Sequence, residues 1–458
     1  METNKEAFAL QDTKNRLTEG PIGQQMIRFA MPIFLGNLFQ QLYNTADTLI
    51  VGNLLGSQAL AAVSSSGSLI FLLIGLFNGI GSGAGVVIAR YFGAQDEERL
   101  SKSIHTTLAI AIVSALLMTA GGVLLSPQIL VWMDTPAEVL PDAVSYLQVY
   151  FAGALGMVMY SSCMGIMQAL GDSKHPLYYL IFSSILNVAL DIIFIAAFRG
   201  GVGSAALATV LSQLISVILC MRRLMRQKGA ARVRLRKLGF DREMTALILR
   251  YGLPSGLQNS VIAIANVVVQ SHINAFGEMA MAGSGAYTRV EGFAFLPVTS
   301  FTMALTTFVS QNLGAEEYER AKKGARYGML CSMGIAELIG VLMFVFSPVI
   351  LRAFTDEAVA IDYGVQKARI CALFYCLLAY SHCASAVLRG AGHAMAPMAV
   401  MLAVWCVIRM AILWIFVPIL QTIAIVNWVY PITWSISSAV LLIYYLSVDW
   451  VHGFQKKK

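Results

Sequence analysis

Charge is scarce in this chain. Lys, Arg, Asp and Glu make up 12% of its 458 residues, while 57% are hydrophobic. A soluble domain carries roughly twice that charged share, so a soluble globular fold is excluded and a polytopic membrane protein is expected. No GxxxxGKS or GxxxxGKT phosphate loop occurs, so ATP is not the direct energy source. No nucleophile or metal-ligand constellation stands out, and no polar stretch is long enough for a separate catalytic domain. That speaks against an enzyme and against a bound cofactor. The seven cysteines show no CxxC spacing and lie in or at the ends of apolar segments. They read as buried free thiols. The first 24 residues lack the basic-then-apolar layout of a cleaved signal peptide, so the first apolar segment directs insertion.

What charge there is sits in loops. Nine Lys and Arg fall between Arg222 and Arg242. In a membrane protein such a cluster marks a cytoplasmic loop, not nucleic-acid binding. Twelve spanning segments are expected, at roughly 25–52, 60–88, 104–125, 140–168, 176–197, 203–224, 249–275, 284–311, 325–352, 366–390, 397–419 and 426–447. The loops at Arg90 to Lys102, Lys174–His175, Arg222–Arg242, Arg320 to Arg326 and Lys456–Lys458 hold most of the loop lysines and arginines. Those at 53–58, 134–142 and 356–362 are neutral or acidic. Both termini are therefore expected in the cytoplasm. The division is a cytoplasmic segment over 1–24, a six-helix bundle over 25–224, a basic linker over 225–248, a second bundle over 249–447 and a cytoplasmic tail over 448–458.

The two halves repeat. Phe92-Gly-Ala-Gln-Asp-Glu-Glu-Arg matches Leu313-Gly-Ala-Glu-Glu-Tyr-Glu-Arg, with Gly93 against Gly314. The offset, 314 − 93 = 221, also relates Ser126-Pro127 to Ser347-Pro348, Gly171 to Gly392 and Pro176 to Pro397. Two parallel repeats imply two bundles, a substrate path between them and alternating access by rocking. The glycines at 75, 79, 81, 83 and 85 are expected to permit close helix packing, with a bending hinge as the second reading.

One stretch inside the first apolar segment stands out, from Gln40 to Gly52. Gln40, Tyr43, Asn44 and Asp47 share a helix face, because side chains three and four apart stack. A lone carboxylate in a spanning helix costs roughly 2.5–3.5 kcal/mol, so Asp47 is expected to be used. Asp191, with Asn187 one turn before it, lies about as far from the outer end of the fifth segment as Asp47 does from that of the first. At 1.5 Å per residue the two acids come within about 2 Å of one depth. Two such carboxyls out of water cannot both stay ionised, which suits proton uptake and release. With the amide oxygens of Asn44 and Asn187 they could instead hold a sodium ion. Simple helix packing is the bland alternative. Aligning Pro32 with Pro254 (254 − 32 = 222) sets Val269 opposite Asp47, and the 221 offset sets Ile412 opposite Asp191, so the second half lacks both acids. Tyr43, Gln40 and Glu291 are the candidate substrate contacts. Glu291 is read near the outer start of its segment, either at the mouth between the bundles or paired with Arg289. Glu337 and Arg409 could pair in the second bundle. His272 and His382 read as structural. An apolar cavity with few acids suits bulky lipophilic cations.

The helix-one motif Leu42-Tyr-Asn-Thr-Ala-Asp47-Thr…Gly52…Leu55-Gly56…Ala59-Leu60-Ala61-Ala62 resembles the MATE (multidrug and toxic compound extrusion) family. So do the two Gly-Ala loops, Gln168-Ala-Leu-Gly-Asp-Ser173 and Leu388-Arg-Gly-Ala-Gly392. The resemblance covers about residues 20–450. It implies an all-α integral membrane protein with twelve helices in two pseudo-symmetric six-helix bundles, arranged as a V. It also implies export of organic cations in exchange for protons or sodium, and a cation site at Asp47 and Asp191. Many NorM-like members carry acids in helices seven and ten; here Asn259, Asn266, His272 and His382 stand in those segments, so the chain looks closer to the DinF-type or MepA-like branch. The expectation is a monomeric multidrug antiporter of the cell (inner) membrane. It would take small organic cations, contact membrane lipid, bind no nucleic acid and run on a proton or sodium gradient. A flippase for a lipid-linked precursor is the alternative, and it would need a basic cavity. A passive channel is a third reading.

Overall fold

A computed structural model describes residues 17–133, 135–197 and 201–453, with backbone alone at several positions from 57 to 74 and at 196–197. Asp134 and the Lys456–Lys458 tail, used above as loop charges, and the residues before Leu17 lie outside the described residues. Every regular element among the described residues is helical. In chain order these are α1 Ile22–Leu55, α2 Ser57–Gly93, α3 Glu97–Trp132, α4 Leu140–Ala152, α5 Ala154–Ala169, α6 Lys174–Asp191, α7 Val202–Arg226 and α8 Arg242–Asn274. They continue with α9 Glu278–Ala294, α10 Leu296–Gly314, α11 Tyr318–Arg352, α12 Ala358–Cys371, α13 Tyr375–Gly390, α14 Met395–Leu402, α15 Arg409–Leu420 and α16 Ile423–Ser447. Four spans are built from two helices each. The break between α4 and α5 at Gly153 is a bend of 49°. π-helical turns follow α6 (Ile192–Ala197) and join α14 to α15 (Ala403–Ile408). By length and apolarity alone, nine helical stretches among the described residues could cross a membrane, or ten counting the bent pair.

The 221-residue repeat is written in the backbone. Left-handed residues occur at Gly56 and Gly277 (277 − 56 = 221), at Gln95 and Glu316 (316 − 95 = 221) and at Gly171 and Gly392 (392 − 171 = 221). Gly56 and Gly277 precede the first residue of α2 and α9, and the other four follow a helix end, where a left-handed residue lets the next amide reach back to an orphan carbonyl. Asp96 N–H thus donates to Tyr91 O at 3.1 Å and Glu317 N–H to Asn312 O at 2.8 Å. Helix packing repeats too, with α3 against α4 and α5, and α11 against α12 and α13.

The chain forms two compact units, and their limits cut through helices. One holds Leu35–Gly256, the other Leu17–Phe34 together with the chain from Leu257 onward. In the first, the glycines of α2 permit a backbone-to-backbone crossing. A Cβ on Gly79 would strike the main chain of Gly256, and one on Gly83 that of Gly252. These are facing small-xxx-small pairs, which bring helices close where lipid offers no hydrophobic drive. The basic linker is docked on α3: Arg234 N–H donates to His105 Nε2 at 3.0 Å and Asp241 N–H to Thr106 Oγ1 at 3.2 Å. In the second unit, Leu17, Met26, Phe29, Ala30 and Ile33 join a core with residues of α9 to α16.

Candidate functional site

Asp47 lies in the second half of α1 and Asp191 is the last residue of α6. The first unit brings their carboxyls within hydrogen-bond reach of each other. Two carboxyl groups can share a hydrogen bond only with a proton between them. Asp191 is fully buried, and Oδ1 of each aspartate is buried without a partner. Asn187, also buried, holds the second oxygen. In the amide orientation that satisfies both of its ends, Nδ2 donates to Asp191 Oδ2 at 2.7 Å. Its oxygen then accepts from the Thr209 hydroxyl at 3.2 Å and from Thr209 N–H at 3.0 Å. Tyr43 reaches the same hydroxyl from α1, at 3.4 Å. Tyr146 and Tyr150, buried on α4, lie close enough to feel the Asp47 charge. The result is a carboxyl pair walled by phenols and steadied by one amide.

The polar stripe of α1 does not act as one unit. Tyr43 and Asp47 turn toward the pair, while Gln40 Nε2 donates to Asn44 Oδ1 at 3.2 Å and Asn44 is exposed. Thr209, Tyr146 and Tyr150 were not singled out by sequence. Only the four-residue spacing of two phenols in Tyr146-Leu-Gln-Val-Tyr150 hints at a common face, and nothing local says which helix that face meets.

Glu291 is not at a helix start and does not pair with Arg289. Helix α9 begins at Glu278, so Glu291 is 291 − 278 = 13 residues in, about 20 Å along the axis. It accepts from Tyr287 Oη at 3.0 Å, one turn earlier. Arg289 is exposed; two residues away on a helix, it faces elsewhere. Glu337 and Arg409 do not pair either. Glu337 accepts from the main-chain N–H of Cys376 at 3.0 Å, while Arg409 donates to Thr433 Oγ1 at 2.9 Å and to Asn266 at 3.4 Å. The positions opposite the two aspartates, Val269 and Ile412, meet in one hydrophobic cluster with Ile273, Leu413 and Val426. The second unit therefore repeats the meeting and replaces the acids with hydrocarbon.

An all-helical chain with many apolar spans, built as two copies of one pattern and holding acids inside its helices, is a multi-pass membrane protein of the transporter type. The MatE family model matches residues 32–193 and again 254–415, and the chain belongs to that family. A relative described as probable multidrug resistance protein YoeA, from Bacillus subtilis, is 30% identical over 414 residues, 88% of each chain. Multidrug export protein MepA of Staphylococcus aureus is 24% identical over 303 residues, 65% of this chain and 66% of its own. A solved structure described as the outward-facing conformation of a multidrug resistance MATE family transporter superposes with a TM-score of 0.88 at 25% identity. It covers 95% of this chain and 98% of that one. The fold is thus the MATE fold of twelve membrane helices in two pseudo-symmetric six-helix bundles.

Proposed function

We propose that this protein is a secondary antiporter that exports lipophilic organic cations in exchange for protons, by alternating access. The observation that carries this reading is the Asp47–Asp191 carboxyl pair, fully buried at Asp191 and half-buried at Asp47, which shares a hydrogen bond only while it holds a proton. Each turnover would load that proton from outside and release it inside. Release leaves two like charges together in a desolvated site, an arrangement too costly to persist. An organic cation is the natural counter-charge, so proton and cargo compete for one pair of acids. Asn187 and Thr209 hold Asp191 in place, Tyr43, Tyr146 and Tyr150 offer ring faces to a cation, and Gln40 and Asn44 offer polar contacts beside them. The protein would sit in the cell (inner) membrane as a monomer, with both termini and the basic linker in the cytoplasm.

The test is ethidium efflux from cells and vesicles, for wild type and Asp47→Asn, with proton and sodium gradients collapsed separately. Wild type should transport, Asp47→Asn should not, and collapse of the proton gradient alone should stop efflux. Arrest by sodium collapse instead would make the pair sodium ligands. Normal efflux by Asp47→Asn would remove the pair from the mechanism.

A further inference from the structure

The second unit buries cations where the first buries acids. Lys367 on α12 is 3% exposed and Arg409 at the start of α15 is 1% exposed. Both lie close enough to act on the Glu291 carboxyl, but among the described residues neither makes a direct ion pair with it. Glu291 is held instead by Tyr287, whose hydroxyl lies 2.8 Å from that of Tyr375. Lys367 Nζ stands over the rings of Tyr287 and Tyr430, 5.1 Å from each centroid. The Arg409 guanidinium lies 5.1 Å from the Trp405 ring and 4.8 Å from Tyr430. Three groups here are buried without a partner: Arg409 Nε and both polar atoms of the Asn427 side chain. Asn427 is fully buried on α16, one turn before Tyr430. Its main-chain oxygen accepts from Cys371 Sγ at 3.7 Å, and Cys371 is one turn beyond Lys367.

Two cations and one carboxylate leave a positive charge over. Buried charge is costly unless it is paired and hydrogen-bonded, and ring faces compensate it only in part. The repeat says what kind of place this is. At the 221 offset Lys367 matches Tyr146, Cys371 matches Tyr150 and Tyr430 matches Thr209. Those three line the carboxyl pair of the first unit. Equivalent niches in the two halves therefore carry opposite charge. We infer that the second unit holds an anion site, in which Lys367, Arg409 and the Asn427 amide bind one monovalent anion, either a free halide or the carboxylate of a cargo molecule. Glu291 limits the affinity by competing for the same cations. This site does not depend on proton coupling at Asp47 and Asp191.

Thermal unfolding of the purified full-length protein in detergent reads the site, since a ligand that binds the folded state raises the midpoint saturably. Sodium chloride and sodium propionate are each compared with sodium methanesulfonate at constant ionic strength. Wild type should show a saturable rise with at least one of the two. Lys367→Gln should show none, and Lys367→Arg should keep it. Glu291→Gln should saturate at about tenfold lower concentration, the size of one charged interaction removed. Chloride alone acting points to a free anion, and propionate alone to a cargo carboxylate. Where both act, chloride dependence of ethidium efflux assigns the free anion and its absence assigns the cargo. No saturable rise in wild type, or an unchanged response in Lys367→Gln, overturns the site. Should Lys367→Gln fail to fold, an unchanged response in Glu291→Gln overturns it.

Discussion

Asp191 depends on one amide more than on any other neighbour. Removing a hydrogen bond to a charged group costs about 1.5–3 kcal/mol, so Asn187→Leu should lower efflux about tenfold or more. Asn44→Ala should lower it less than about threefold, because among the described residues the Asn44 side chain bonds only to Gln40, in an exposed pair; parallel ethidium rates compare the two. An acid placed at the matching spot in the other half tests whether surroundings or residue type makes the site. Val269 is fully buried among aliphatic side chains. Val269→Asp should therefore reduce the yield of folded protein, by a cost of about 2.5–3.5 kcal/mol, without adding a second coupling site. The meeting of Asp47 with Asp191 was legible from segment order and depth alone. The wall around them was not. Tyr146, Tyr150 and Thr209 are ordinary residues for apolar helices, and which helix face they join is set by packing across more than a hundred residues. Lys367 was missed for a different reason. It stands at the edge of an expected segment, where a lysine reads as an interfacial anchor, yet α12 begins at Ala358 and carries it inside.

At the level of single helices, the glycines of α2 divide into two groups. Gly79 and Gly83 meet the backbone of Gly256 and Gly252, while Gly81 and Gly85 have open space where a Cβ would go. Gly79→Leu and Gly83→Leu should each lower the unfolding midpoint in detergent, by about 1–3 kcal/mol of overpacking. Gly81→Ala and Gly85→Ala should leave the midpoint unchanged or raise it, since alanine favours a helix by up to about 1 kcal/mol over glycine. Equal losses at all four positions would show that chain flexibility, not the crossing, accounts for these glycines. The close-packing reading was available from sequence as a composition. Which glycines touched, and what they touched, required the register of α2 against α8. Helix limits were the least legible feature. Several helices run past the apolar segments by a turn or more, because polar residues such as Asp96, Glu97 and Glu98 cap and continue α3 beyond its hydrocarbon part.

For the whole molecule, loop charge predicts orientation. Green fluorescent protein fused after Lys237 should fluoresce, and alkaline phosphatase fused after Thr135 should be active; the opposite pair of results would invert the topology. The repeat, visible as four sequence anchors, turned out to be carried by left-handed turns at matching positions. The extent of the two compact units was not visible in the same way, because a helix crossing from one unit to the other looks uniform in hydropathy. Residues 17–34 illustrate this. Leu17 N–H donates to Gln311 Oε1 at 3.1 Å, Arg320 Nη1 to Gly20 O at 2.7 Å, and Phe29 and Ile33 lie in a core whose other members begin at Ala286. These residues are made well before their packing partners, which lie some 250 residues further along the chain. During synthesis the first half of α1 must wait without these partners while some 250 further residues are translated and inserted. A chaperone or translocon partner, or transient lipid cover, would have to shield it until the second half arrives to claim it.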